Sequence, residues 1–226
     1  MKTTTNRPIP LGLTMLIALF GALLALALSG GHDASAQDDA THASSAISEK
    51  ELALRQDMRK LWEDHVTWTR LTIISLTTDA PDTQATVGRL LTNQTHIGNA
   101  VKPFYGKQAG NQLTALLKEH IAIAADLIAV ARKGDTAAVS SEQKRWQANA
   151  DAIAAFLSRA NTNWKPAAMR AMMRSHLRLT TNEVVARLTK DWAADVRAYD
   201  RIHVQILHMA DMLSDGLVAQ FPARFR

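Results

Sequence analysis

Residues 185–213, VARLTKDWAADVRAYDRIHVQILHMADML, set Val185, Leu188, Trp192, Asp195, Tyr199, Ile202, Ile206, Met209 and Leu213 at steps that alternate between three and four. That is the spacing of a helix burying one stripe against partner helices, and here the stripe carries a carboxylate, Asp195, at its middle. Just upstream, Thr180 and Glu183 read as a capping box, so one long final helix is expected from there to about Gln220.

Working backwards, the same period recurs. Ser48 with Glu51 caps a first helix to about Leu76, whose stripe holds Leu54, Met58, Leu61, His65, Trp68 and Thr72. Pro81 suits the opening turn of a second helix with Val87, Leu90, Gln94, Ile97 and Val101 on one side, and Pro103 and Gly106 end it. A third, near Gln108 to Arg132, aligns Leu113, Leu117, His120, Ala124 and Leu127 before the Lys133-Gly134 stop. Ser140 with Gln143 caps a fourth to about Asn161, with Trp146, Asn149, Ile153 and Phe156 inward. After a loop at 161–164, Pro166 opens a short segment to about Leu177. Period-two runs and hairpin turn pairs are missing. The expectation is an all-α, up-and-down antiparallel bundle of four to five long helices over 48–221, with no internal repeat evident in the letters.

Ahead of it, Lys2 and Arg7, the apolar run Leu11 to Leu28, and Ala34-Ser35-Ala36 predict a signal peptide over 1–36. An uncleaved anchor is the alternative, because that run is about long enough to span a bilayer, and only then would the chain meet a membrane. Residues 37–47 read as a flexible polar leader. The expected location is therefore periplasmic or secreted. The chain has 226 residues, a formal charge of +5 and no cysteine, which excludes disulfides, thiolate ligands, thiol nucleophiles and lipoprotein attachment. The charges are interspersed and aromatics make up only 5 %, a composition that speaks against nucleic acid as a partner.

The stretches LWEDHVTWTR from Leu61, NQTHIGNAVKPFYG from Asn93, LLKEHI from Leu116, ANADAIAAFLSRANTNW from Ala148 and LTKDWAADVRAYDRIH from Leu188 resemble a family of uncharacterised secreted or periplasmic bacterial helical-bundle proteins. The resemblance implies export and an all-helical fold. It carries over no activity and no ligand.

The first candidates for chemistry are the polar residues that interrupt the stripes. His65, His120 and Asp195 fall at similar depths of an antiparallel bundle, and two imidazoles with a carboxylate suit zinc, iron or copper. Gln94, Asn149 and Tyr199 could then orient the imidazoles from behind. The same groups could equally satisfy one another by hydrogen bonding and fix helix register. Two weaker sets exist. Asp200 and His203 are neighbours on one helical face, which also suits an exposed ion pair. Met169, Met172, Met173 and His176 share a face of the segment after Pro166, a soft set that favours Cu(I) unless the thioethers are simply core. No nucleophile elbow, zincin motif, phosphate loop or dinucleotide fingerprint is present, so nothing marks an enzyme. Two functional classes stay open: a structural or interaction bundle meeting an envelope partner, and a metal-binding or metal-sensing bundle.

Overall fold

The computed structural model describes residues 47–226; the expected signal segment and all but the last residue of the expected leader lie outside them. Five α-helices and no strand form the described part: α1 Glu49–Thr78, α2 Thr83–Arg132, α3 Thr136–Ala160, α4 Pro166–Thr189 and α5 Trp192–Gln220, followed by a 3-10 turn at Pro222–Phe225. The all-α bundle expected from the periodicity is the fold observed. Helix α1 packs on α2 and α5, α2 on α3, α3 on α4 and α4 on α5, which closes the elements into a ring around one core. Val66, Ile97, Leu117, Ile153, Ile206, Met209 and Leu217 are buried there. Each such aliphatic side chain contributes about 1.5–3 kcal/mol by leaving water.

Short polar residues set the helix starts. Ser48 accepts from the Glu51 amide at 3.2 Å, while the Glu51 carboxylate turns forward to Arg55 instead of closing the box. Asp135 accepts from Ala138 N–H and Asp191 from Ala194 N–H, both at 2.9 Å. Helix α3, expected to open at Ser140, therefore begins at Thr136.

The largest departure lies in the stretch that decided the fold. Thr180 and Glu183 cap nothing: both are buried in the middle of α4, which runs on from Pro166 through Thr189. The chain then breaks at Lys190, in the left-handed region at φ 62°, before Asp191 starts α5. The heptad pattern of the letters runs through this break although the helix does not. Trp192, the stripe position beside the break, is 51 % exposed and lies under the Arg187 guanidinium at 4.8 Å.

Helix α2 comprises two helical segments that meet at Gly106, whose φ of 83° and ψ of 170° no L side chain adopts without strain. Beyond that bend the segments press together at two glycines. A Cβ on Gly98 would lie 2.6 Å from the Gly110 carbonyl oxygen, and one on Gly110 would lie 2.5 Å from that of Gly98. The first segment faces α1 and the second faces α3, so the bend hands the chain from one helical pair to the next.

Candidate functional site

Three imidazoles meet in the core, and each is tied through Nδ1 to a side-chain amide of a neighbouring helix. His65 of α1 lies 3.2 Å through Nδ1 from Gln94 Nε2 of α2. His120 of α2 donates from Nδ1 to Asn149 Oδ1 of α3 at 2.8 Å, and His176 of α4 donates from Nδ1 to Gln205 Oε1 of α5 at 3.2 Å. In every case the amide lies 29 residues beyond its histidine. The amide nitrogens repeat as well. Asn149 Nδ2 donates to Leu116 O at 3.2 Å and Gln205 Nε2 to Met172 O at 3.4 Å, in each case the carbonyl four residues before the histidine. In the first pair this second task falls to Asn93, whose Nδ2 donates to Leu61 O at 3.0 Å. A bonding unit shared between two helices thus occurs three times, once in each successive helical pair.

Because Nδ1 is engaged, each ring is left with Nε2. The rings crowd together: His176 lies 5.7 Å from His65 and 6.4 Å from His120, centroid to centroid. Burial drives all three basicities down, His120 to about 3 and His65 well below the usual imidazole range, and the neighbouring rings add to the effect for both. The rings are therefore neutral at pH 7. Donation from Nδ1 places the lone pair of His120 and of His176 on Nε2, and His120 Nε2 is buried with no partner. His65 differs: it accepts from Gln94, so its proton sits on Nε2, and Gln94 Oε1 is buried and unpartnered.

A cavity of about 30 Å3 adjoins the three rings, with Met58, Trp62, Met172, Met173 and Met209 among its other walls. That is room for a single water or ion. Among the described residues no three His, Asp or Glu side chains already stand at ligand spacing. Rings sharing an ion at about 2.0–2.1 Å would have centroids about 5 Å apart, so His176 would have to draw about an ångström nearer to His65 and to His120.

The structure brings together His65, His120, Gln94 and Asn149 as the helical stripes implied, but not Asp195 or Tyr199. Asp195 (2 % exposed) joins Arg70, Glu183 and Arg187 in a separate network, because α5 starts only at Trp192 and its first turn lies against α1 and the end of α4. Arg70 Nη1 reaches Glu183 Oε1 at 2.7 Å and Asp195 Oδ1 at 2.9 Å. Burial raises the Glu183 carboxyl to about 7 against the opposing pull of Arg70. Tyr199 lies beneath the same Arg70, 4.8 Å from ring centroid to guanidinium carbon. His203 pairs with Glu63 at 3.0 Å and Asp200 is exposed, so the flanking pair makes no joint site. Of the soft set, Met172, Met173 and His176 line the central cavity, whereas Met169 is buried elsewhere in the core.

No family model, curated protein or solved structure matches this chain. His176 was expected with the methionines and not with His65 and His120, and Gln205 behind it was not singled out. A signal for them does exist. The pattern apolar-apolar-x-x-His occurs at Leu61-Trp62, Leu116-Leu117 and Met172-Met173, with the histidines spaced by 55 and then 56 residues. The expectation of no internal repeat is corrected accordingly: the unit recurs in hydrogen bonding although few letters recur with it.

Proposed function

We propose that this chain is an exported bundle that binds a transition-metal ion between His65, His120 and His176. The observation that carries the reading is the threefold arrangement of neutral imidazoles, each tied back through Nδ1 to a side-chain amide, around a cavity of single-ion size. An Nδ1–H donated to a carbonyl oxygen is the outer contact that orients a metal-bound imidazole and raises its basicity. Two of the three rings hold that tautomer. The third requires a half-turn of the Gln94 amide, which would bring its unpartnered Oε1 to His65 Nδ1 and move the ring proton off Nε2, while breaking the bonds that Gln94 Nε2 donates to Leu90 O and Asn93 Oδ1. Export rests on the sequence of residues 1–36.

The Gln94 orientation also favours a second reading, a purely structural layer. One water could accept from His65 Nε2 and donate to His120 and His176, satisfying all three while the layer fixes helix register. Elemental analysis of the purified protein, with thermal melting in the presence of chelator and of added zinc, copper and nickel, separates the two. The metal reading expects a bound ion and a melting temperature that falls with chelator and recovers with metal. A protein that takes up none of the three, with an unmoved melting temperature, overturns it.

A further inference from the structure

We infer that the ion for which this centre is built is copper in its cuprous state; the inference rests on the metal-binding reading and goes beyond it in naming the ion. Four methionines from three helices line the same cavity as the imidazoles: Met58 of α1, Met172 and Met173 of α4, and Met209 of α5, all buried. Half of the chain's eight methionines thus surround a space about large enough for one ion. Thioether and imidazole together select Cu(I) over harder ions, and with no cysteine in the chain methionine is its only sulfur ligand.

The charge argument runs the same way. No Asp or Glu lines the cavity, and the nearby buried carboxylates are committed to Arg70 and Arg187. A site whose ligands are all neutral leaves the full charge of its ion within an apolar surround, and the desolvation cost grows with the square of that charge. A monovalent ion therefore meets about a quarter of the penalty a divalent ion would. Zinc and iron sites in proteins relieve this with carboxylate, thiolate or open water positions, none of which this cavity offers.

The test uses the exported protein, stripped of metal and titrated anaerobically with Cu(I) in competition with a colorimetric Cu(I) chelator, and in parallel with Zn(II). The wild-type chain is expected to hold one Cu(I) against the chelator, with both nitrogen and sulfur scatterers in its copper X-ray absorption spectrum. The pairs Met172→Leu with Met173→Leu, and Met58→Leu with Met209→Leu, conserve volume and should keep the fold. Each should weaken Cu(I) retention by about 10- to 100-fold while leaving Zn(II) uptake unchanged. His176→Gln should lower both. Cu(I) bound with nitrogen scatterers alone, or held equally tightly by the methionine variants, overturns the cuprous inference and leaves the metal reading standing. Uptake of neither ion by the wild type overturns both. The spectrum of the wild type decides the matter even if a variant fails to fold.

Discussion

Acid should unfold this protein through its histidines. The folded-state basicity of His120 is lowered from 6.5 to about 3, so the folded state binds fewer protons than the unfolded chain between those values. The stabilisation is therefore complete above pH 6.5 and is lost as pH falls towards about 3. Two pH units below 6.5, His120 alone should cost about 2.7 kcal/mol, at 1.36 kcal/mol per unit. His65 and His176 are displaced in the same direction by the same burial. Glu183 opposes them: its carboxyl is raised from 4.5 to about 7, so its stabilising contribution is present below 4.5 and is lost as pH rises through 7. Three imidazoles outnumber the one opposing carboxyl, so stability should fall as pH drops below 6.5, with His120 contributing about 1.4 kcal/mol per unit. Urea denaturation followed by circular dichroism, from about pH 7.5 to about pH 4.5, reads the slope. In His120→Gln it should fall by one proton, about 1.4 kcal/mol per unit. Identical acid slopes in the two proteins would refute the premise that this ring is buried and neutral.

Arg70→Gln leaves Glu183 without its cation and Asp195 with Arg187 alone, and should cost about 3–5 kcal/mol in urea denaturation near neutral pH. Glu183→Gln cannot ionise, so its effect should be smallest below pH 4.5 and should turn increasingly stabilising relative to wild type as pH rises from 4.5 to 7. Gly98→Ala drives a methyl into the Gly110 carbonyl and should lower stability by about 1–3 kcal/mol, read as a fall in urea midpoint without loss of helix content. Metal uptake near pH 7 should release almost no protons, because the imidazoles are already neutral; calorimetry in two buffers of different ionisation heat should give equal enthalpies.

The helices were legible in the sequence wherever burial imposed its period. Asn149 and Gln94 were legible for the same reason, since a polar residue on a buried stripe must find a partner. The break at 190–191 was not, because the stripe on α5 continues in phase with the one on α4 and Thr180 with Glu183 imitates a helix start. The local sign of the true boundary was Asp191, a capping residue like Asp135, and it lay within an unbroken apolar period. Asp195 misled for a related reason. Periodicity assigns a residue to a face but not to a height along the bundle, and height depends on where α5 begins. His176 sat among methionines that looked like core, and its kinship with His65 and His120 shows only when residues 55 or 56 apart are set side by side.

Ser48 Oγ donates to the Phe225 carbonyl, and Lys50 Nζ donates to Arg226 O at 2.8 Å. The two ends of the described body are thus fastened to each other, and the polypeptide within it is topologically a loop cut at one point. A short polar linker from Arg226 to Ser48, with new ends placed in the 161–165 connection, would leave every amide-bridged pair intact and should give the same body. New ends in the 133–135 turn would instead part His120 from Asn149 and cut through one of the pairs. Tolerance of the first rearrangement and failure of the second would identify the paired helix, and not the single helix, as the unit from which this architecture is assembled.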